Sequence, residues 1–439
     1  MSSVAFHTIG CKVNHYETEA VWEIFNKNGY VRVDFEELAD VYVINTCTVT
    51  NAADKKSKQI IRRAIRKNPE AIIAVMGCYS QIFMADDETI PGVHIIIGTE
   101  GKDRLFEYVR EFSEKKVAIN NVINIMKVKE FEELNVEQFS DRTRATIKIQ
   151  EGCNNFCTYC IIPWARGLSR SRNPQNIYNQ AKQLVANGYN EIVLTGIHTG
   201  GYGEDLENYS LAKLLSDLDS IEGLQRIRIS SIEVTQINDE ILDVLGRSKK
   251  MVRHLHIPLQ AGEDQILGEM KRNYTTKIYR DKIIELRKVL PQLAITTDII
   301  TGFPGETIES FNSGYKFIED IKFAELHVFP YSIRTGTPAA IMKNQVNEIE
   351  KQNRVQELIE LSKRLSINYR EKFLGDFLEV IPENMNKKNC PSNFLLGHSD
   401  NYIPIKFEGT EDLIKKICVV RIDAIGADFC RGTFIKVKE

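Results

Sequence analysis

Apolar positions in the first 116 residues follow two periods. Residues 4–9, 41–45, 71–76 and 93–97 are short, nearly continuous apolar runs, as strands buried on both faces are. Between them the period lengthens to that of a helix. Residues 14–28 place Ala20, Val21, Ile24 and Phe25 on one face. Asn14 and Glu17 make a capping-box pattern there, and Gly29 closes the run. Residues 51–67 read as a second helix, ended by Pro69. This alternation predicts a doubly wound parallel α/β domain over 1–116. Residues 117–140 are acid-rich and weakly patterned, and read as a connector. Six more strand-like runs, at 145–150, 191–194, 226–230, 254–257, 294–300 and 324–329, alternate with helical patterns such as 174–187, capped by Gly188. They predict a partial (β/α)6 barrel over 141–372. A long helical pattern spans 346–373, and Gly375 breaks it. Five short β-like runs follow, at 377–381, 394–398, 402–407, 418–425 and 429–437. They predict a small antiparallel β-barrel over 373–439.

The chain has 439 residues, enough for about three domains. It is 43% hydrophobic and 27% charged with a formal net charge of −3, so nucleic-acid binding has to rest on local patches. Residues 376–439 carry nine Lys or Arg against ten Asp or Glu, so charge does not mark this module as an RNA binder. The chain shows neither an apolar run of membrane-spanning length nor a signal-peptide pattern, and a cytoplasmic protein without membrane contact is expected. Nine cysteines in such a chain read as metal ligands before disulfides.

Two groups of cysteines carry the chemistry. Cys153, Cys157 and Cys160 have the spacing C-x3-C-x2-C and follow the first strand of the predicted barrel, at the edge where barrel chemistry sits. Three thiolates with no fourth nearby suit an iron–sulfur cube held at three corners, with one iron open. A zinc knuckle lacking one ligand, or buried structural thiols, are the alternatives. Cys11, Cys47 and Cys78 each end a predicted strand and precede a helix. In a doubly wound sheet all three stand at the carboxyl edge, where such folds bind ligands, so they can meet and hold a second three-cysteine cluster. The alternative is that cysteine is simply a common core residue. Cys390, Cys418 and Cys430 are spread over separate β-like runs and read as structural or free thiols.

Cations and rim residues complete the candidates. The helix after Cys47 carries Lys55, Lys56, Lys58, Arg62, Arg63, Arg66 and Lys67 against the single acid Asp54. It is either a solvated face or a phosphate contact. Arg166, Arg170 and Arg172 follow the C-x3-C-x2-C loop with no intervening acid, and with Arg334 are candidate clamps for a carboxylate or phosphate. Thr195, Gly196, Ser230, Ser231, Glu233, Gln260, Asp298, Thr301 and Gly302 to Glu306 lie at the predicted strand ends. Each alone also reads as an ordinary turn or cap. His7, His198, His256 and His327 lack metal-ligand spacing and read as packing or hydrogen-bonding residues.

The order of the three modules resembles the radical S-adenosylmethionine (SAM) methylthiotransferases over essentially the whole chain. Three stretches narrow the likeness to the MtaB-type branch: Thr8-Ile-Gly-Cys-Lys-Val-Asn-His-Tyr-Glu-Thr-Glu19, Asn45-Thr-Cys-Thr-Val-Thr-Asn51 and Cys157-Thr-Tyr-Cys-Ile-Ile-Pro-Trp-Ala-Arg-Gly167. The resemblance implies a TRAM module at the C-terminus, two 4Fe-4S clusters and SAM. Cys153, Cys157 and Cys160 would hold the radical-generating cluster, and Cys11, Cys47 and Cys78 the auxiliary one. Tyr159, Thr195, Gly196, Ser231, Glu233, Gln260 and Asp298 are the expected SAM contacts. Lys55, Lys56, Arg62, Arg63, Arg166, Arg170, Arg172 and Arg334 are the expected tRNA contacts. The implied activity adds a methylthio group at carbon 2 of N6-threonylcarbamoyladenosine, next to the anticodon. Sister branches act on isopentenyladenosine in tRNA or on an aspartate of a ribosomal protein. A redox sensor or RNA-binding module with structural clusters stays open. A monomer is expected, served by a sulfur donor and a reductant, with a flavodoxin-type electron donor one candidate.

Overall fold

The computed structural model describes residues 1–84, 90–139, 142–383 and 393–438. Its first domain is one six-stranded sheet, in the order Val31–Val33, Ser3–Thr8, Val41–Thr46, Ile72–Gly77, Ile95–Ile97, Ile119–Asn121. Every pairing in it is parallel. Helix Asn51–Lys67 lays Ile60, Ile61 and Ala64 on one face. Helices Lys12–Lys27 and Leu105–Lys115 lay Val21, Phe25, Leu105 and Val109 on the other. The sheet is therefore doubly wound, as the alternation predicts.

Two strands have no counterpart in the sequence reading. Val31–Val33 and Ile119–Asn121 are three-residue edge strands of mixed exposure, too short to show a period. The second lies at the start of the segment read as a connector, so the sheet continues past residue 116. The capping box is also corrected. The first helix begins at Lys12, with Cys11 at its N-cap and no side-chain cap. Asn14 and Glu17 lie inside it, fully buried, and serve a buried arginine instead.

The central domain holds six parallel strands, Ala145–Lys148, Glu191–Thr195, Arg226–Ile229, His254–His256, Ala294–Thr301 and Glu325–Pro330. They form two three-stranded groups joined by a parallel bridge from Ile227 to Met251. Alternate residues Ile147, Leu194, Ile227 and Ile229 pack into the core under the helices. Their neighbours Thr146, Lys148, Val193 and Arg228 therefore face the bore. Helix Glu348–Glu371 returns onto the barrel through Leu358, Leu361 and Leu365.

The last domain is a closed barrel of five strands, Phe377–Pro382, Phe394–Ser399, Pro404–Glu408, Cys418–Ala424 and Cys430–Val437. It is not wholly antiparallel: Pro404–Glu408 pairs with Cys430–Val437 in parallel. An odd number of strands cannot alternate direction around a closed ring, so one parallel pair is unavoidable. Cys418 and Cys430 are buried in this core, and Cys390 lies outside the described residues. The module seats on the amino ends of the central strands. Arg226 donates to the Glu379 carbonyl (2.8 Å), Arg253 pairs with Asp400 (2.6 Å) and Arg144 with Glu383 (2.6 Å). The opposite, carboxyl end is left to the cysteines.

Candidate active site

The first domain brings Cys11, Cys47 and Cys78 to adjacent strand ends. Cys11 follows Ser3–Thr8, Cys47 follows Val41–Thr46, and Cys78 follows Ile72–Gly77. These are neighbours in the sheet, and the first two flank the point where strand order reverses. Open α/β sheets bind ligands at that crevice. Gly10 makes the approach possible. Its φ is +112°, and a Cβ there would stand 2.9 Å from the Cys47 Cβ and 3.0 Å from its sulfur. Cys11 is exposed, and Cys47 and Cys78 are buried. Burial pushes the Cys78 thiol up to about 12, against the pull of Arg166, and Cys47 and Cys11 add to the rise. Thiols crowded out of water in this way gain charge most readily by binding a metal.

The second group sits on a loop held at both ends. Gln150–Glu151 and Arg170–Ser171 pair as a short antiparallel ladder, and the loop between them carries the cysteines. Cys153 N–H donates to the Gly167 carbonyl (3.0 Å) and Cys160 N–H to the Cys157 carbonyl (3.0 Å). Gly152 turns with φ +72°, and a Cβ there would lie 2.0 Å from the Leu168 carbonyl oxygen. Burial pushes Cys153 up to about 11 and Cys160 up to about 12, with Cys157 adding to both.

Each triad has one guanidinium on a sulfur. Arg166 Nε donates to Cys78 Sγ at 3.1 Å, and Arg272 Nη1 to Cys157 Sγ at 3.1 Å. Arg272 also pairs with Glu233 (2.8 Å), which accepts from Asn155 (3.0 Å). Asn155 and Gln236 approach the His198 ring, which burial keeps neutral. Arg272 escaped the sequence reading: it follows Lys271 after a short helix, with no periodicity or partner to mark it. The donor sets fit cubes held at three corners, since among the described residues each site has three thiols and no fourth. Among the described residues no three His, Cys, Asp or Glu side chains close on a single ion. Ligands on separate corners of a cluster do not need to.

Beside Cys160 and the turn after Cys47 lies a cavity of about 280 Å³. Val49 and Thr50 line it from the first domain, Tyr159 to Ile162 from the cysteine loop, and Gln260, Asp298, Ile300 and Phe329 to Ser332 from the barrel mouth. Arg334 completes the wall. It is 3% exposed, yet its Nε has no partner among the described residues. Its other nitrogens donate to Asn51 (2.6 Å), Asp54 (2.7 Å) and Thr48 (2.7 Å). Of the expected SAM contacts, Tyr159, Gln260 and Asp298 line this cavity. Thr195, Gly196 and Glu233 lie elsewhere, around Gln150 and His198. A Cβ on Gly196 would stand 3.0 Å from Gln150, and Thr195 accepts from Ser230 (3.4 Å). Ser231 is half-exposed.

The expected tRNA cations divide in the same way. Lys55, Lys56 and Arg62 are exposed on their helix, while Arg63 is engaged by Glu36 (2.5 Å). Arg166, Arg170 and Arg172 are buried, and their guanidiniums meet acids of the chain itself. Arg166 reaches Glu17 (2.6 Å) and Glu151 (3.1 Å), Arg172 reaches Glu133 (2.8 Å), and Arg170 lies 3.6 Å from Glu100. Three arginines without a nearby acid in sequence thus find acids in space. The histidines bond and pack: His256 joins Thr296 (2.9 Å) and Asp298 (3.2 Å), His327 lies against His256, and His7 lies against Phe35.

Comparison with known proteins agrees with this architecture. Residues 3–98 match the family described as Uncharacterized protein family UPF0004, and residues 147–318 match the Radical SAM superfamily. The chain is 56% identical, over 100% of its length and 98% of the relative, to the threonylcarbamoyladenosine tRNA methylthiotransferase MtaB of Bacillus subtilis. It is 37% identical to the protein of that name from Aquifex aeolicus, over 95% of this chain and 99% of the relative. It is 35% identical to a tRNA-2-methylthio-N(6)-dimethylallyladenosine synthase of Clostridium botulinum, over 94% of this chain and 93% of the relative. Among solved structures, the radical SAM methyltransferase TsrM of Kitasatospora setae superposes with a TM-score of 0.59 at 15% identity, over 78% of this chain and 77% of that one. The superfamily uses SAM and a 4Fe-4S cluster. Two cysteine triads on these two domains and full-length identity to such relatives lead to one assignment: the chain belongs to the radical SAM methylthiotransferases, and within them to the MtaB type.

Proposed function

We propose that this chain adds a methylthio group to carbon 2 of N6-threonylcarbamoyladenosine in tRNA, at the position after the anticodon. In this reading Cys153, Cys157 and Cys160 hold one cluster, and Cys11, Cys47 and Cys78 hold a second. Bound there, the clusters and SAM supply a carbon radical for the unactivated C–H bond and a site for the transferred sulfur. The chain's own residues do the rest. Arg166 and Arg272 orient one sulfur at each site. Ile161, Ile162, Ile300 and Phe329 offer an apolar bed for a purine. Gln260 and Asp298 are the polar contacts nearest the cysteine loop. RNA can present the base because loop nucleotides splay out. tRNA as substrate implies action in the cytoplasm.

The observation that carries the substrate reading is Arg334. A threonylcarbamoyl group adds a carboxylate and a hydroxyl to the adenine. Arg334 lines the cavity, beside Ser332, with an Nε that has no partner among the described residues. An isopentenyl group would want an apolar wall there. Polar sites reject analogues lacking the polar group far more strongly than apolar sites reject a bulkier one. The test is methylthio product per enzyme on three tRNAs differing only at that adenosine. Turnover is expected with the threonylcarbamoyl form and little or none with the isopentenylated or unmodified forms. Equal rates on all three, or activity on ribosomal protein, would move the chain to a sister branch.

A further inference from the structure

A second chamber, of about 210 Å³, opens where all three domains meet. Lys12 enters from the first domain. Arg142, Arg144 and Arg228 come from the central domain, and Glu383 and Tyr402 from the terminal barrel and its entry strand. None of these residues belongs to either cysteine site. The charge of the chamber is one-sided, with four cations facing one carboxylate.

Two of the cations are fixed. Arg144 pairs with Glu383 (2.6 Å), and Arg228 pairs with Glu191 (2.6 Å) and donates to the Asp400 carbonyl (3.3 Å). Both guanidiniums lie over the Tyr402 ring, at 5.5 and 4.9 Å from its centroid. The ring itself stacks on His254 at 4.7 Å. This inner pair is a rigid floor whose acids are already engaged. The outer pair is different. Lys12 is exposed and Arg142 half-exposed, and neither has a carboxylate within ion-pair distance among the described residues. Glu19, whose charge acts on Arg142, is held by Arg32 (3.0 Å). A floor whose guanidiniums are already paired, with Lys12 and Arg142 at its mouth without an acid partner among the described residues, leaves two cations to meet an oxyanion.

We infer that this three-domain chamber binds a backbone phosphate of the substrate RNA, with Lys12 and Arg142 as its direct ligands. The inference rests on the proposed tRNA substrate. A phosphate is favoured over a carboxylate by the number of donors converging there. RNA is favoured over a free ion because Lys12 follows Cys11 directly in the chain. A strand engaged at the chamber would therefore lie across the junction of the first domain with the barrel, while the base site is at the carboxyl end of the central strands.

The test measures tRNA affinity against salt for the full-length protein with reconstituted clusters. Wild type is compared with K12Q/R142Q, with R142K as the charge-keeping control. Each phosphate that is no longer neutralised lowers the slope of log K against log salt by about one. The double variant is expected to lose slope at unchanged iron content, and R142K to keep it. Equilibrium dialysis with inorganic phosphate forms the second arm. Equal slopes in wild type and double variant overturn the inference, and phosphate retained only by wild type would then assign the chamber to a free ion. Failure of the wild type to bind tRNA at all overturns the substrate reading itself.

Discussion

Arg166 is fully buried and joins Cys78, Asn14, Glu17 and Glu151. Burial alone would raise Glu17, but Arg166, Lys102 and Lys148 together hold it well below the usual carboxylate range. Lys148 closes the set by pairing with both Glu17 and Glu151. The network crosses from the first domain to the barrel, so one residue change would strand a charge in the interior. Arg166→Met should cost about 3–5 kcal/mol in chemical unfolding, because Glu17 loses its main partner. A loss under about 1 kcal/mol would mean that Lys102 and Lys148 suffice. The depressed Glu17 also sets a sign. Its stabilisation is full above the unfolded carboxylate value and is lost only as pH falls through the folded one. Glu17→Gln should therefore flatten the acid limb of a stability–pH curve and leave the neutral-to-alkaline limb parallel to wild type. Arg272 acts at the other triad. Hydrogen bonds to sulfur help set a cluster's potential, and this one also brings positive charge. Arg272→Gln should shift the midpoint of the Cys153-loop cluster to more negative values at unchanged iron content. An unmoved midpoint in an EPR-monitored titration would limit Arg272 to holding Glu233.

At the scale of elements, helix Asn51–Lys67 shows how one segment serves two tasks. Ser57, Ile60, Ile61 and Ala64 bury one stripe, so the seven cations are driven to the other faces. Its N-terminus is tied to the cavity wall, with Asn51 donating to the Ile333 carbonyl (3.0 Å) and Asp54 pairing with Arg334 (2.7 Å). The one acid of the helix is thus taken up internally, and the exposed faces remain basic. Replacing Lys55, Lys56 and Arg62 by Ala should weaken tRNA binding and lower the salt slope by roughly one for each phosphate left without its cation. Arg63→Ala should do less, because Glu36 already neutralises it. An unchanged slope in the triple variant would make this helix a solvated face. The helix and its basic run were legible in sequence because periodicity and charge are local. The edge strands were not, since three residues with one partner strand carry no pattern.

Over the whole molecule, Cys160 of one cysteine group and Val49 and Thr50, just after Cys47 of the other, line one cavity. If each group holds a four-iron cluster, reconstituted protein carries about eight irons. Replacing Cys153, Cys157 and Cys160 by Ala should halve that content and abolish SAM cleavage. Replacing Cys11, Cys47 and Cys78 should also halve it while leaving some uncoupled cleavage to 5′-deoxyadenosine. Full iron retention in either triple variant would sink the assignment. The terminal barrel contributes from the other end of the central strands, where Arg144, Arg226 and Arg253 receive it. Its own balance of charge identified no RNA-binding surface. At its junction with the other two domains, Lys12, Arg142, Arg144 and Arg228 share one opening.

Sequence alone determined the three modules and the strand-end stations of the six cysteines, because spacing and periodicity are properties of neighbours along the chain, and the resemblance of three motif stretches pointed to the family. It also named Gln260, Asp298 and Arg334 as rim candidates, and these three do line the cavity. Tertiary structure decided the rest. Whether a cation faces a substrate or an internal acid depends on residues far away in the chain: Arg166 and Glu17 are 149 apart, and Arg334 and Asp54 are 280 apart. A chain read locally shows Asn14 and Glu17 as a helix cap. Only folding brings them onto a guanidinium that needs them, because a buried charge must be paired wherever its partner lies in sequence.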